Sequence, residues 1–299
     1  MGIPVIDLKS LDGDKSSKTM AQLHEACAKW GFFWVENHGI DVGLMEKVKD
    51  FVNSHYEKSL KKSFYESELA KRLSSSPRTD ASNGDWETTF FIQHQPVSNI
   101  AEFADIGAQF GETMDKYATQ LIEVAEKLAE SLSLNLGLDK SYVKNAFSPP
   151  FVGTKVAKYP QCPDPDLVLG LRAHTDAGGI ILLLQDDTVP GLEFYKDGEW
   201  VPVTPEKDNK IFVNLGDQVE VFSNGLYKSI LHRVAADKGG SRLSIATFYN
   251  PGGDAVISPE PKLLYPGGYR FQDYLDYYVT TKFSDKGARF QTIKEMYKP

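Results

Sequence analysis

The chain of 299 residues is poor in cysteine and in positive charge. Its two cysteines, Cys27 and Cys162, are far apart in the sequence and suggest no disulfide framework, which favours a reducing compartment. With 33 Lys and Arg against 41 Asp and Glu, the net charge is −8, and an acidic surface argues against nucleic acid or an anionic membrane as a partner. No stretch approaches about 18 consecutive apolar residues, so we expect no membrane span.

The composition is otherwise that of a globular protein, with 41% hydrophobic and 25% charged residues. Charged residues near the start, including Asp7, Lys9 and Asp12, interrupt any apolar signal-peptide core. We therefore expect a cytoplasmic protein, with no obligate protein partner evident from the sequence.

The region 1–150 is predicted to be mainly helical. Hydrophobic residues recur three and four apart between Met20 and Trp30, which predicts an amphipathic helix that ends at Gly31. Residues 32–35 then have the apolar pattern of a strand. The longest helix is expected from about Phe103 to Leu136. Its predicted buried face consists of Met114, Tyr117, Leu121, Val124 and Leu128.

From residue 151 onwards, short apolar runs alternate with turn pairs such as Asp-Gly, Asn-Gly and Gly-Gly. About eight strands in roughly 100 residues, without an obvious exposed edge, predict a closed or two-sheet barrel. We therefore predict an α+β, mainly β fold in one compact unit. Its double-stranded β-helix (jelly-roll) core spans 151–255, after the helical region 1–150 and before a C-terminal helical segment at 256–299, with helices at 271–281 and 288–297.

The most informative motif is His174-Thr175-Asp176, followed 58 residues later by His232. His-x-Asp alone is weak, since about half an occurrence is expected by chance. Apolar runs at 167–171 and 180–184 predict two buried strands with a polar joint between them, and residues two apart on a strand point to the same side. Two imidazoles and a carboxylate form the facial triad that holds non-haem Fe(II) and leaves coordination positions open.

Ten residues after His232, Arg242 and Ser244 repeat the spacing of two, so that a guanidinium and a hydroxyl would face the same way. The planar guanidinium suits a carboxylate, and the hydroxyl adds a hydrogen bond. The combined pattern predicts an oxygen-activating enzyme with an anionic substrate or cosubstrate.

Six further segments of the chain are distinctive. They are Trp30-Gly31-Phe32-Phe33, Asn37-His38-Gly39-Ile40, Asp85-Trp86-Glu87-Thr88-Thr89-Phe90-Phe91, Gly170-Leu171-Arg172-Ala173-His174-Thr175-Asp176-Ala177-Gly178-Gly179-Ile180-Ile181, Asn214-Leu215-Gly216-Asp217-Gln218 and Phe248-Tyr249-Asn250-Pro251. These segments resemble those of the plant 1-aminocyclopropane-1-carboxylate (ACC) oxidases, of the iron- and 2-oxoglutarate-dependent oxygenase superfamily, and the resemblance covers nearly the whole chain. The segment from Gly170 to Ile181 is the most diagnostic, because 2-oxoglutarate enzymes usually lack its arginine, Arg172.

This resemblance implies that His174, Asp176 and His232 bind Fe(II). It also implies conversion of ACC, with O₂ and ascorbate as cosubstrate, to ethylene, CO₂ and cyanide, with bicarbonate or CO₂ as activator. The further pocket residues that it implies are Lys155, Tyr159, Arg172, Asn214, Arg242, Ser244 and Phe248. Of these, Lys155, Arg172, Arg242 and Ser244 are expected to act in catalysis; the resemblance does not assign them among ACC, ascorbate and bicarbonate.

Near the end, Lys282, Lys286 and Arg289 resemble a basic C-terminal segment that the family needs for activity. Lys286 and Arg289 are therefore expected to bind substrate or cosubstrate, although the same residues could form an ordinary exposed helix face. The chain has Gly287 and Gln291 where many relatives carry glutamate, which weakens any role for an acidic residue there.

Two rival interpretations remain open at this point. The same triad with Arg242 and Ser244 could serve a 2-oxoglutarate-dependent hydroxylase of another plant metabolite. A non-catalytic barrel with a structural zinc is the second rival, but such a site normally closes with four protein ligands, and the pattern offers three.

Overall fold

The computed structural model describes residues 2–12, 16–75, 84–205, 207–257, 268–287 and 289–291, with 74 and 75 described by their backbone alone. Most of the helix expected over 288–297 lies outside the described residues.

Helices are concentrated in the first half of the chain. The α-helices are α1 (Ser16–Glu25), α2 (Val42–His55), α3 (Lys61–Tyr65), α4 (Glu68–Ser75), α5 (Phe110–Asn135), α6 (Tyr142–Phe147), α7 (Asp217–Phe222) and α8 (Phe271–Thr281). Short 3-10 or π turns lie at Leu8–Asp12, Ala26–Trp30, Tyr56–Leu60, Ile100–Ile106 and Pro165–Leu167.

Strands dominate the second half. They are β1 (Val5–Asp7), β2 (Phe32–Glu36), β3 (Thr88–Gln95), β4 (Phe151–Tyr159), β5 (Leu169–His174), β6 (Ile180–Gln185), β7 (Leu192–Lys196), β8 (Glu199–Pro202), β9 (Ile211–Leu215), β10 (His232–Ala235), β11 (Arg242–Asn250), β12 (Val256–Ile257) and β13 (Tyr269–Arg270). In this described part of the chain, the eight strands β4 to β11 fall within 151–250, which confirms the number expected from the turn spacing.

Two sheets form the jelly-roll core. The larger sheet has the strand order β1-β2-β9-β6-β11-β4-β3 and the smaller has the order β5-β10-β7-β8. Phe32 and Phe212 of the larger sheet join Phe194 of the smaller one in a single hydrophobic cluster. The rings of Phe32 and Phe194 lie 4.3 Å apart, so the sheets pack face to face, and the site described below opens between them.

The central strands of the larger sheet are buried on both faces. In β6, Leu182 and Leu184 pack against the helices, while Leu183 points into the space between the sheets. The same alternation occurs in β2, where Phe33 faces the helices and Trp34 faces the second sheet. Burial on both sides explains why these strands have continuous apolar runs instead of an alternating pattern.

The helical first half also contributes three strands to the larger sheet, β1, β2 and β3. Its longest helix, α5, begins at Phe110 and not near residue 103 as expected, because Gly107 is extended (φ 161°) and separates it from the turn Ile100–Ile106. The predicted stripe on α5 is confirmed as buried; its members are Met114, Tyr117, Leu121, Val124 and Leu128. The unit boundaries at 150 and 255 stay a prediction.

Helix α8 confirms the helix predicted at 271–281. It buries Phe271, Tyr274 and Tyr278, which pack in the hydrophobic cluster that also contains α5 and the helix-facing side of the larger sheet. This packing brings the C-terminal segment next to the loop that follows β5, as the hydrogen bond from the Tyr278 hydroxyl to the Thr175 carbonyl shows (2.6 Å).

Candidate metal and substrate site

His174 and His232 lie opposite each other at adjoining strand ends. His174 is the last residue of β5, His232 is the first of β10, and the two are direct partners in the antiparallel register. Asp176 lies beyond the end of β5, which corrects the expectation that strand alternation aligns it with His174. The loop after β5 instead turns the carboxylate back, so that Oδ1 lies 3.8 Å from His174 Nε2 and Oδ2 lies 3.6 Å from His232 Nε2.

The three side chains fit a bound metal ion. One ligand atom from each lies within 4.8 Å of the others, and all three residues are buried. Each Nδ1–H of the two imidazoles donates to a backbone carbonyl, that of Arg172 for His174 (2.8 Å) and that of Ile230 for His232 (3.1 Å). Both Nε2 lone pairs are therefore directed into the cluster, as in metal-binding histidines.

Burial, followed by the proximity of His232 and Lys282, holds the pKa of His174 well below its ordinary value. The imidazole is therefore neutral at physiological pH, which is the form that binds metal. Among the described residues, the cluster offers three ligands and no fourth, so the set matches an open catalytic site better than a closed structural zinc site.

Two elements hold the Asp176 carboxylate and its loop. Asn214 of β9 donates from Nδ2 to Asp176 Oδ2 (2.8 Å), and the backbone N–H of Asp217 donates to the Asp176 carbonyl (2.8 Å). Gly216 is required between them, because a Cβ at that position would lie 2.3 Å from the Gly178 carbonyl oxygen. The segment Asn214-Leu215-Gly216-Asp217 thus holds Asp176 in place.

A pocket between the two sheets contains the cluster and encloses about 590 Å³, counting the space at its open mouth. Its lining residues are Lys155, Tyr159, Leu171, His174, Asp176, Ile181, Leu183, Leu192, Phe194, Asn214, His232, Val234, Arg242, Ser244, Ala246, Phe248 and Lys282. Most of the site residues expected from the sequence are therefore brought together here.

Lys282, at the C-terminal end of α8, also lines the pocket. Burial and the nearby Lys155 lower the pKa of Lys282.

Arg242 lies buried in the wall, with its guanidinium carbon 5.6 Å from the centre of the Tyr159 ring. Its Nη2 donates to Gln185 Oε1 (3.0 Å). The Nη1 of Arg242 and the Nε2 of Gln185 are buried and have no hydrogen-bond partner in the part of the chain that the structure describes. Because Arg242 lines the pocket, its unpartnered N–H donor fits an anionic oxygen ligand there.

Sequence reasoning missed Gln185. It is the polar end of the apolar run in β6, and its direct partner in β11 is Ser244. That polar end was visible in the sequence, but the register that places it beside Ser244 was not.

Two carboxylates of the Asp85-to-Phe91 motif pair with cations expected at the site. Lys155 Nζ lies 2.9 Å from both oxygens of Glu87. Arg172 pairs with Asp85 (Nε to Oδ1 3.1 Å), and its guanidinium stacks on the Phe283 ring at 3.9 Å. It is not among the residues that line the pocket. The motif therefore neutralises charge at the rim of the site.

Lys286 and Arg289 also lie away from the pocket lining. Lys286 Nζ donates to Glu220 (2.6 Å), and Arg289, which is 1% exposed, donates to Thr175 and approaches Asp217. Burial of Arg289 excludes the interpretation as an exposed helix face for that residue. Its contact with Thr175, between His174 and Asp176 in sequence, suggests an indirect influence on the site.

Comparison with known proteins agrees with this geometry. Residues 150–251 match the 2OG-Fe(II) oxygenase superfamily, and residues 3–109 match the N-terminal region described as non-haem dioxygenase in morphine synthesis. A crystal structure of JOX2 in complex with 2OG, Fe and JA has the same fold, with a TM-score of 0.83 and 31% identity over 98% of this chain and 89% of that one. The fold and the metal cluster thus define a non-haem Fe(II)-dependent oxygenase.

Individual relatives show which family within this class of oxygenases the chain belongs to. The chain is 62% identical to 1-aminocyclopropane-1-carboxylate oxidase 1 of Arabidopsis thaliana over 99% of its own length and 96% of the relative's. It is 47% identical to 1-aminocyclopropane-1-carboxylate oxidase 4 of Solanum lycopersicum over 98% and 95% of the two lengths. The chain belongs to the ACC oxidase family, which confirms the resemblance seen in its motifs.

No helix within the described residues is long and apolar enough to cross a membrane. Cys27 and Cys162 are both buried and unpaired with each other, consistent with the absence of a disulfide framework in the sequence.

Proposed function

We propose that this protein oxidises ACC to ethylene, CO₂ and cyanide with O₂ and ascorbate, at an Fe(II) held by His174, Asp176 and His232. The observation that carries this proposal is the buried cluster of two imidazoles and one carboxylate in a cation-lined pocket, in a chain 62% identical to an Arabidopsis ACC oxidase. Fe(II) bound there would supply O₂ activation and a positively charged anchor for a chelating substrate.

The overall reaction balances without 2-oxoglutarate. The two CH₂ groups of the ring leave as ethylene, the substituted ring carbon and its nitrogen leave as cyanide, and the carboxylate leaves as CO₂. Ascorbate supplies two electrons and two protons and becomes dehydroascorbate. Both oxygen atoms of O₂ then leave as water.

The protein's own contribution is to bind and orient the reactants. We assign Arg242 to a carboxylate or bicarbonate, because it lines the pocket and its buried Nη1 has no hydrogen-bond partner among the described residues. Ser244, on the same face of β11, adds a hydroxyl. Lys155 and Lys282 line two further sides; Lys155 is paired with Glu87, so Lys282 adds the positive charge that suits the ACC carboxylate or the ascorbate anion.

Tyr159, Asn214 and Phe248 serve the pocket in different ways. Burial raises the pKa of Tyr159 well above its ordinary value, so that its hydroxyl stays protonated. Asn214 orients Asp176 through its amide (2.8 Å), and Phe248 shields one wall from water. Arg172 acts at the rim through its ion pair with Asp85 and not through direct contact with the substrate.

The cosubstrate is the point at which this proposal and a 2-oxoglutarate-dependent hydroxylase diverge. O₂ uptake by the Fe(II)-loaded protein is measured with ACC plus ascorbate, and separately with 2-oxoglutarate alone, with succinate determined in both. We expect ACC-dependent uptake with ascorbate and no succinate. Stoichiometric succinate from 2-oxoglutarate, without ACC-dependent O₂ uptake, would instead support the hydroxylase.

A reducing compartment such as the cytoplasm is proposed for the protein, since its two cysteines are buried thiols.

A further inference from the structure

We propose that Asp217 is a positioning residue that couples the C-terminal segment to both parts of the metal site. The inference rests on the proposed assignment of His174, Asp176 and His232 as ligands. Asp217 contacts none of these three side chains, and its carboxylate is fully buried at the start of α7. Its proposed role follows from the groups that contact its carboxylate.

Four donors from three separate segments reach the Asp217 carboxylate. Oδ2 accepts from the Tyr274 hydroxyl (2.5 Å) and the Thr175 hydroxyl (3.2 Å), and lies 3.4 Å from Arg289 Nη2. Oδ1 accepts from the Ser229 hydroxyl (2.7 Å). Tyr274 and Arg289 belong to the C-terminal segment, whereas Thr175 and Ser229 belong to the two segments that carry the ligand candidates.

The first connection leads to the loop of Asp176. Thr175 lies between His174 and Asp176 in sequence, and its hydroxyl bridges Asp217 and Arg289 (2.6 Å to Arg289 Nη2). The backbone N–H of Asp217 also donates to the Asp176 carbonyl. A shift of Asp217 would therefore move this loop through both a side chain and the backbone.

The second connection leads to His232. Ser229 lies three residues before His232, and its backbone N–H donates to Glu220 Oε2 (2.7 Å) while its hydroxyl donates to Asp217. Lys286 donates to the same Glu220 oxygen (2.6 Å) and to the Ser229 carbonyl. The segment before the second histidine is thus held by one C-terminal cation and by the two carboxylates of α7.

The C-terminal segment is itself ordered around this point. Arg289 Nη1 donates to the carbonyls of Thr281 (2.8 Å) and Ser284 (3.1 Å), which fixes the turn after α8. Its Nη2 is then directed at Thr175 and Asp217. The expected need for Lys286 and Arg289 is explained by positioning: these cations act through Asp217, Glu220 and Thr175, and not on the substrate.

A purely stabilising role would not require this arrangement. Buried ion pairs generally contribute little net stability relative to apolar packing, because desolvation offsets their attraction. The Asp217 network instead connects two segments that are distant in sequence and must hold their ligands in a fixed relation. Changes to groups that orient metal ligands typically weaken metal binding about 10- to 100-fold.

The test measures Fe(II) binding directly, without turnover. Fe(II) dissociation constants are determined anaerobically by chelator competition for the wild type, Asp217→Asn and the matched control Asp187→Asn. Asp187 pairs with the buried Lys49 (2.7 Å) and is not among the described residues that line the pocket, so the control also breaks a partly buried ion pair. The d–d absorption of the Co(II)-loaded proteins reports the ligand geometry independently.

We expect Asp217→Asn to weaken Fe(II) binding at least about tenfold and to change the Co(II) spectrum, with Asp187→Asn matching the wild type in both. Unchanged Fe(II) affinity and spectrum in folded Asp217→Asn would overturn the proposal, whatever its melting temperature. So would equal weakening in the two variants, because that result indicates a general loss of stability.

Ser229→Ala keeps the proposal testable if Asp217→Asn does not fold, because it removes one hydroxyl donor and leaves the buried charges in place. We expect a few-fold weakening of Fe(II) binding, and wild-type affinity in that variant contradicts the coupling. Asp176→Ala serves as a reference. If it retains full Fe(II) affinity, the ligand assignment fails and the Asp217 proposal fails with it. If it loses Fe(II) while Asp217→Asn does not, only the Asp217 proposal fails.

Discussion

His174 and His232 are 58 positions apart in the sequence, yet they are direct partners across the antiparallel strands β5 and β10, with ring centres 4.3 Å apart. Each Nδ1–H donates to the carbonyl of the residue two positions earlier in its own chain segment. The two imidazoles are therefore presented in the same way by two equivalent backbone arrangements. This pair forms one side of the metal site, and the loop after β5 supplies Asp176 to complete it.

The first prediction concerns that pair. Replacement of His232 by Ala removes one of three ligands and should abolish both Fe(II) binding and ethylene formation, since two remaining ligands hold Fe(II) weakly. His38 is half-buried, donates from Nε2 to the Asn209 carbonyl (2.7 Å) and lies outside the cluster, so His38→Ala should keep Fe(II) binding. Metal content after gel filtration checks both variants. Wild-type iron content in His232→Ala would remove this residue from the site.

The second prediction separates anion binding from metal binding. Arg242→Lys shortens the side chain and removes the planar fork next to Gln185, so we expect the KM for ACC or the activation by bicarbonate to change about tenfold or more. The Fe(II) dissociation constant should stay within about twofold of the wild type, because Arg242 is not among the three metal-ligand candidates. Steady-state kinetics with varied ACC and varied bicarbonate identifies the affected ligand. Unaltered kinetics would show that Arg242 binds neither.

The third prediction concerns the close approach of the Gly216 backbone to the Gly178 carbonyl, in the loop of Asp176. In Gly216→Ala the new methyl group would lie 2.3 Å from the Gly178 oxygen, so the Asp176 loop must move. We expect a loss of about 3 kcal/mol or more in the free energy of unfolding, together with weaker Fe(II) binding. Gly111→Ala, in helix α5, is the control, because the new Cβ would meet only Ile100, in the preceding turn, at an ordinary contact distance of 3.5 Å. Alanine is also favoured over glycine in a helix by about 0.5–1 kcal/mol. Urea unfolding of both variants measures the difference; equal stabilities would show that the loop tolerates a side chain.

The fourth prediction is a pH dependence of stability at the turn after β6. Burial alone would raise the pKa of Asp186, but hydrogen bonds from the backbone N–H groups of Val189, Thr188 and Leu243 lower it below the ordinary value of 3.8. A folded pKa below the unfolded one means that the ionised carboxylate stabilises the fold above the unfolded pKa. This stabilisation is lost as the pH falls through the folded pKa.

Asp186→Asn should therefore lower the free energy of unfolding by about 1 kcal/mol at pH 7, and the difference from the wild type should shrink between about pH 5 and pH 3. Asp197→Asn is the control, since Asp197 is 84% exposed and its pair with Lys196 contributes little. Denaturant titrations across this pH range measure both differences. A gap that persists undiminished at pH 3 would show that charge is not the cause.

Local patterns in the sequence predicted the features that depend on local chemistry. The continuous apolar run of β6 predicted a buried strand because the strand is covered on both faces. The helical stripe from Met114 to Leu128 predicted the buried face of α5 for the same kind of reason. The two histidines and Asp176 could be selected because the His-x-Asp pattern lies between two apolar runs and because Arg242 and Ser244 follow His232 closely.

Features that depend on long-range register could not be predicted in this way. Gln185 reaches the Arg242 guanidinium because β6 pairs with β11 in one particular register, and no local signal specifies that register. Arg289 is buried against Thr175 because the C-terminal segment docks on the loop after β5, although its sequence suits an exposed helix equally well. Asp176 reaches the histidines through a turn and not through strand alternation, which a spacing of two does not distinguish.

Ethylene formation tests the central claim most directly. Purified protein is incubated with Fe(II), ACC, ascorbate, bicarbonate and air, without 2-oxoglutarate, and the headspace is sampled by gas chromatography. We expect ethylene that requires iron, ACC and ascorbate and that disappears in Asp176→Ala. No ethylene from folded, iron-loaded wild-type protein, or undiminished ethylene from folded Asp176→Ala, would contradict the account.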